Sequence, residues 1–404
     1  MVDLSRIPRS IWWDIDETNG RPGVFLLDQT RLPLVGDVLC CQKLEGLIIA
    51  IQSMAVRGAP ALGVAAAFGL AIWSENESDA STVEAWLAGL DAAADRIAAA
   101  RPTAVNLAWA AERVRGFAHA QAADGRSLAE LKADIVGFAL ELAAADEASN
   151  RAIGEHGATL LGPDSRVLTH CNAGSLATSY FGTVGGVIYT AFDQGRVSHV
   201  WVDETRPLNQ GGRLTAWEMM AAGVPCTLIA DSMAASVMQS GWVDAVLVGA
   251  DRICSNGDTA NKIGTLSLAI AAQSFGIPFY VCAPLSSFDR SLADGSQIPI
   301  ETRDRRELAG FTVTGQLLPE DASSRQAYEL LTRGGPRDLR FKHGHQMSVY
   351  QKPDGYYFDA WFMLTPPDVP IYNPAFDVTP ARLISAFVTE TGVYTPAELA
   401  EAFD

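Results

Sequence analysis

The sequence predicts an α/β protein: a small N-terminal strand-plus-helical domain over residues 1–157, then a parallel-sheet domain over 158–404. Three observations carry this. Residues 11–39 read as short strands and turns, in Ser10-Ile11-Trp12-Trp13-Asp14 and Gly23-Val24-Phe25-Leu26-Leu27-Asp28. Residues 43–157 are Ala-rich, with an apolar stripe of Val83, Trp86, Leu87, Leu90, Ala93 and Ile97 at helical spacing. From residue 164 onward, short apolar runs alternate with helical segments.

Those apolar runs are Ser165–His170, Ser198–Val202, Cys226–Ala230, Ala245–Gly249 and Pro278–Cys282. Strands buried on both faces have this composition, so the series implies a parallel, Rossmann-like sheet. Helices are expected over Leu214–Ala222 and Thr259–Phe275, with Gly223, Gly241 and Gly276 as C-terminal caps. Residues 312–366 break the rhythm. Ser323–Arg333 reads as a helix, and Lys352-Pro353-Asp354-Gly355 between β-rich runs reads as a hairpin turn. This stretch is expected to be a surface insertion.

Composition narrows the function. The chain has 404 residues, 48% of them hydrophobic, with a net charge of −17. Such a surface repels a phosphodiester backbone, so nucleic acid is not an expected partner. The start is polar, without the apolar core of a signal peptide. The longest apolar run, Gly58–Trp73, is shorter than the roughly 20 residues a membrane-spanning helix needs and reads as a buried helix. Six scattered cysteines without a CxxC fit free thiols in a reducing cytoplasm.

In an open parallel sheet, ligands bind beyond the carboxyl ends of the strands. There the sequence places Cys171-Asn172-Ala173-Gly174-Ser175, Asp203-Glu204-Thr205-Arg206-Pro207, Asp231-Ser232, Asp251-Arg252 and Pro284-Leu285-Ser286-Ser287. Cys171 is either an inert buried thiol or one tuned by a helix N-terminus. Asp251 is either a cap or a carboxyl raised by a dry cleft into a general acid. The loop 172–175 is read as opening a helix whose amides can hold an anion. Arg57, Arg101 and Lys262 are the candidate cations for a phosphate, against the plainer reading of surface charge. Asp203, Glu204 and Asp231 can hold Mg²⁺ or cap neighbouring loops. His343 and His345 can share a metal or stand exposed on the hairpin. His170 is next to Cys171, but strand neighbours face opposite ways.

Several ordered motifs bring in a family. They are Val56-Arg57-Gly58-Ala59-Pro60-Ala61-Leu62-Gly63, Thr169-His170-Cys171-Asn172-Ala173-Gly174, Asp203-Glu204-Thr205-Arg206-Pro207 and Gln210-Gly211-Gly212-Arg213-Leu214-Thr215. They continue with Val248-Gly249-Ala250-Asp251-Arg252, Asn256–Gly264 and Asn373-Pro374-Ala375-Phe376-Asp377-Val378-Thr379-Pro380. The chain resembles the methylthioribose-1-phosphate isomerases, in a group with ribose-1,5-bisphosphate isomerases and regulatory subunits of an initiation-factor exchange complex. The resemblance covers nearly the whole chain outside about 312–366.

By that resemblance, the catalytic residues are Cys171 and Asp251. The phosphate and sugar contacts are Arg57, Gly58, Ala59, Arg101, Gln210, Asn261 and Lys262. The implied protein is a cytoplasmic homodimer in methionine salvage, without metal or cofactor. The implied reaction is the aldose–ketose conversion of 5-methylthioribose 1-phosphate to 5-methylthioribulose 1-phosphate. The alternatives are another pentose 1-phosphate (5-deoxyribose 1-phosphate or ribose 1,5-bisphosphate) and a non-catalytic regulatory subunit that senses a sugar phosphate or nucleotide. The family usually has Ile-Glu-Glu-Arg where this chain has Ile300-Glu301-Thr302-Arg303, and the 312–366 insertion is outside the usual pattern. An apolar wall for a methylthio group is sought in Trp12, Trp13 or the insertion's aromatics.

Overall fold

The structure is a computed structural model that describes residues 2–102, 104–317, 328–329, 332–333, 335–340, 345–353 and 355–402. A three-stranded antiparallel sheet comes first: β1 (Ile11–Asp16), β2 (Arg21–Leu27) and β3 (Val38–Cys41). Helices α1 (Leu44–Gln52), α2 (Ala59–Asn76), α3 (Val83–Ala98), α4 (Val105–Ala123) and α5 (Leu128–Ala158) follow. The apolar run from Gly58 is α2, buried almost all round against α4 and α5. In α3, Trp86, Leu90, Ala93 and Ile97 are buried, as their spacing predicts. Ser127 and Glu130 start α5 with a capping box, each side chain bonding the other's backbone.

The chain then alternates: β4 (Ser165–Thr169), α6 (Val184–Asp193), β5 (Val197–Asp203), α7 (Ala216–Ala222), β6 (Cys226–Ile229), α8 (Ala234–Gln239) and β7 (Ala245–Val248). After β8 (Arg252–Cys254), β9 (Thr259–Lys262) and α9 (Thr265–Ser274) comes β10 (Phe279–Cys282). Beyond it lie β11 (Phe288–Asp289), α10 (Arg305–Ala309), β12 (Gly310–Leu317), β13 (Arg337–Arg340), β14 (Gln346–Lys352) and β15 (Gly355–Met363). The chain closes with β16 (Phe376–Thr379), β17 (Ala386–Thr389), β18 (Gly392–Tyr394) and α11 (Pro396–Ala402).

The main sheet has seven strands in the order β6-β5-β4-β7-β10-β17-β18, all parallel except the edge strand β18. Leaving out β18, the chain steps outward from β4 to β6, then returns to β7 on the other side of β4. That is the doubly wound order, and the reversal leaves a crevice beyond the ends of β4 and β7. Successive residues face opposite ways: Val167 packs toward α6, and Leu168 toward α8 and α9. Gly223, Gly241 and Gly276 have positive φ at helix ends, as expected of caps.

One expected helix is shorter than its sequence suggests. Thr259–Lys262 is a strand, paired antiparallel with β8 and β16. Gly264, at φ +107°, turns the chain before α9 begins.

The predicted hairpin is β14–β15, whose last pair is Lys352 with Gly355. It belongs to a four-stranded antiparallel sheet ordered β12-β15-β14-β13. Asp354, His343 and most of the expected helix Ser323–Arg333 lie outside the described residues. Lys352 pairs with Asp37, which also binds Arg31 at 2.6 Å. The Arg31 guanidinium lies 4.7 Å over the Tyr350 ring. These contacts dock the sheet against the loop between β2 and β3. No helix among the described residues is long and apolar enough to cross a membrane.

Candidate active site

Cys171 and Asp251 follow β4 and β7, the two strands that flank the crevice. Cys171 has φ +64°, an uncommon conformation for a residue with a side chain. Its surroundings hold it there. The Cys171 amide donates to Thr205 Oγ1 at 2.7 Å, and its carbonyl accepts from Thr215 Oγ1 at 2.6 Å. Strain of this kind persists where neighbours over-determine the backbone, commonly at functional sites. The Asp251 amide donates to the Ala260 carbonyl at 3.0 Å, tying the end of β7 to β9.

Burial raises both groups above their ordinary pKa values. For Cys171, the charges of Lys262 and Arg57 oppose the rise and that of Asp251 adds to it. For Asp251, Lys262, Arg101 and Arg57 oppose the rise. Both groups therefore share the field of Lys262 and Arg57, and Asp251 that of Arg101 as well. At rest the thiol is protonated, and the carboxyl holds its proton further up the pH scale than a free aspartate.

Arg57 reaches the cleft from the loop between α1 and α2. Its Nε donates to Gln29 Oε1 at 3.1 Å, one Nη donates to the Asn172 carbonyl at 3.0 Å, and the other donates to Asn172 Oδ1. A guanidinium has five N–H donors, so it keeps some for a ligand after positioning itself. Gly58 stands next at φ +95°, where a Cβ would overlap the backbone of Ala177. Only glycine allows this approach, and it starts α2 at the cleft. Arg101 lies 3.9 Å from Glu301, and burial lowers its pKa. Lys262 Nζ donates to the Ala375 carbonyl at 3.2 Å and lies 5.0 Å over the Phe376 ring. Asn261 donates to Thr265 Oγ1 at 3.0 Å. Gln210 Oε1 is buried with no hydrogen-bond partner among the described residues.

The cleft brings together every residue expected at the site: Cys171 and Asp251 with Arg57, Gly58, Ala59, Arg101, Gln210, Asn261 and Lys262. Met54, Leu208, Glu301, Arg303 and Phe376 also line it, and sequence reasoning missed them as site residues. Arg303 bonds Glu301 at 2.7 Å, Glu307 at 2.6 Å and Met54 Sδ at 3.0 Å. Thr302, the residue that departs from the family's pattern, is not among the residues that line the cleft.

Other expectations fail, each for a physical reason. The loop 172–175 does not open an α-helix: a single 3₁₀ turn, Ser175–Ala177, follows it. The Ser175 and Leu176 amides are taken by the buried Glu218 carboxylate, at 2.7 and 3.2 Å. Trp12 stacks on Phe25 and Trp13 packs on Phe68, so neither lines the cleft. His170 does turn away from Cys171: Nδ1 faces Asp203 at 3.0 Å and Nε2 faces the Ile263 carbonyl at 2.9 Å. A carbonyl only accepts, so Nε2 carries hydrogen and the buried His170–Asp203 pair shares the other proton. Burial pushes Asp203 up to about 6. His170, Asp203 and Asp231 present ligand atoms within 4.8 Å of one another. Asp231 uses both oxygens to accept the Thr205 and Arg206 amides at 2.7 Å, so it acts as a loop cap. His345 Nδ1 accepts from the Met363 amide at 3.0 Å.

The profile of the Initiation factor 2 subunit family matches residues 55–396. The chain belongs to this family. Among its relatives, a methylthioribose-1-phosphate isomerase of Chloroflexus aurantiacus is 43% identical over 97% of this chain and 96% of its own. A 5-deoxyribose 1-phosphate isomerase of Moorella thermoacetica is 46% identical over 92% of each chain. The crystal structure of a 5-methylthioribose 1-phosphate isomerase from Pyrococcus horikoshii aligns with TM-score 0.78 and 39% identity, over 99% of this chain and 97% of that one. A family member from A. fulgidus, solved as translation initiation factor eIF-2B subunit delta, aligns at 0.74 and 38%, over 97% and 99%.

Proposed function

We propose that this chain is an aldose–ketose isomerase that converts 5-methylthioribose 1-phosphate to 5-methylthioribulose 1-phosphate, as in methionine salvage. The observation that carries the reading is one juxtaposition. Asp251 and Cys171 close adjacent strands at the sheet's reversal point, both raised by burial and both facing Arg57 and Lys262. Relatives named as isomerases of sugar 1-phosphates support it.

A C1 phosphate blocks ordinary ring opening, because the anomeric oxygen is esterified. Protonated Asp251 gives its proton to the ring oxygen, and the bond from that oxygen to C1 breaks. Hydrogen then moves from C2 to C1. A thiol raised by burial is a poor resting base, which favours transfer of hydrogen with its electron pair over removal as a proton. The 2-hydroxyl then loses its proton to the Asp251 carboxylate, restoring the acid and leaving the C2 ketone. Cys171 borders this path and helps keep it dry. Arg57, Arg101, Asn261 and Lys262 hold the phosphate and so orient C1 and C2. Gly58, Ala59 and Gln210 contact the sugar. Residues 1–157 act as the domain that closes over the sheet ends of residues 158–404, in a cytoplasmic homodimer.

The test is turnover of 5-methylthioribose 1-phosphate by purified, EDTA-treated protein, with 5-deoxyribose 1-phosphate and ribose 1,5-bisphosphate alongside. Conversion to the ketose is expected. The Moorella relative gives the second reading, preference for 5-deoxyribose 1-phosphate, which keeps the chemistry. Folded protein that converts none of these sugars leaves a binding role.

A further inference from the structure

Beside the cleft lies a second space of about 410 Å³, walled on one side by the β12–β15 sheet. Met54, Arg57, Leu208 and Gln210 line both spaces, so the two meet along that edge. Arg101, Asp251, Asn261 and Lys262 line the cleft and not the second space. With the phosphate at Arg101 and Lys262 and C1 and C2 between Asp251 and Cys171, the shared edge is an opening for the far carbon. Resting on the isomerase reading above, we infer that this second space receives the substituent on C5 of the sugar, and that it admits thioethers longer than methyl.

The wall has the right chemistry. Met54, Pro207, Leu208, Leu214 and Trp361 supply apolar and sulfur surface, and a thioether packs well against an aromatic ring. Trp361 is held in place: its Nε1 donates to the Arg306 carbonyl at 3.3 Å, and the Arg306 guanidinium lies 4.8 Å over its ring. A Cβ on Gly310 would come within 2.8 Å of that ring, so a side chain there would displace the indole. Thr312 pairs with Trp361 across the strands and shares its face, and Phe311 also lines the space.

The cations on this wall are positioned by the protein. Arg213 donates to the Gln29, Leu32 and Leu208 carbonyls through three of its five N–H groups. Arg306 stacks on Trp361 and donates to Gln346, with Asp304 and Glu307 on the same wall. The volume is several times that of a methylthio group, which fills roughly the space of two waters, about 60 Å³.

The experiment is steady-state kinetics with the 5-methylthio, 5-propylthio and 5-deoxy sugar 1-phosphates. Wild-type protein is expected to use the propylthio sugar within about threefold of the methylthio one. Trp361→Ala is expected to lower selectivity for propylthio over 5-deoxy by about tenfold through KM, the scale of one or two lost apolar contacts. Thr312→Trp fills the same face and is expected to exclude propylthio while still admitting 5-deoxy. Gln351→Ala, at the hairpin end of the same sheet and away from the space, leaves all selectivities unchanged. If wild-type protein uses propylthio a hundredfold worse than methylthio, or both space-changing variants move the three sugars alike, the inference is overturned and the isomerase reading stands. No turnover of any sugar overturns both.

Discussion

The floor of the cleft and its insertion-side wall are built by different means. On the floor, Cys171 is held by Thr205 and Thr215, and Asn172 by Arg57, Thr215 and the buried Glu218. Almost every polar atom there is spoken for, and the strand ends set the positions. The wall is an antiparallel sheet that carries a stacked indole and is tied to the loop between β2 and β3 by Lys352–Asp37 and by Arg31 over Tyr350. Its ties hold the sheet as a whole and do not run through Cys171 or Asp251. On the proposals above, reaction class and substrate identity are therefore encoded in separate parts of the chain.

The sharpest break with that view comes from the floor. Asp251→Asn keeps the shape and removes the acid, so kcat is expected to fall by about 10³-fold on every sugar tested, within the usual range for a general acid. Cys171→Ala is expected to cost a similar factor, again regardless of the C5 substituent. Steady-state rates on two sugars check both. A loss that depends on the substituent would mean that floor and wall are not separate.

Arg57→Lys comes next. Lysine has no planar fork, so it cannot bind Gln29 and Asn172 while also contacting a phosphate. KM is expected to rise by about 10- to 100-fold, the scale of one or two charge-assisted bonds, with a smaller drop in kcat. A kcat loss as large as that of Asp251→Asn would instead place Arg57 in the chemistry.

Thr215→Val removes the hydroxyl that bonds the Cys171 carbonyl and accepts from Asn172. The expected cost is about 1–3 kcal/mol of stability, from buried groups left unpaired. Thermal denaturation reads it. An unchanged melting temperature would show that Cys171 keeps its positive φ without this clamp.

Much of this was legible in the sequence, and the limits have physical causes. The strands were visible because burial on both faces demands apolar runs, and Cys171 and Asp251 because they follow those strands; Gly58, Ala59, Gln210 and Asn261 were reached only through the family's motifs. Glu218 left a signal too, a lone carboxylate in the apolar stretch Thr215–Gly223. Gln29 left none: its grip on Arg57 and on the Leu176 carbonyl joins residues far apart in the chain. The strand Thr259–Lys262 was read as helix because its partners, β8 and β16, lie elsewhere in sequence. Of the aromatics the sequence offered for an apolar wall, Trp12 and Trp13 serve packing in the N-terminal layer, while Trp361 of the insertion lines the space beside the cleft; sequence did not choose between them because that choice depends on how the insertion docks.

The smallest expected effect is a pH profile that the wall does not move. The proposed acid is Asp251 in its protonated form, and burial raises its pKa. Below that raised value the carboxyl carries its proton and the enzyme is active. As pH rises through it, the proton is lost and kcat falls; an aspartate with the ordinary pKa of about 4 would already have lost its proton by neutral pH. A bound phosphate adds negative charge nearby, which moves the fall further up the scale. The descending limb should therefore lie above the ordinary carboxylate range, and it should lie at the same pH in Trp361→Ala as in the wild-type protein, because Trp361 lines only the neighbouring space. A limb that shifts in Trp361→Ala would show that the wall reaches the field at Asp251, and the separation of chemistry from specificity would fail.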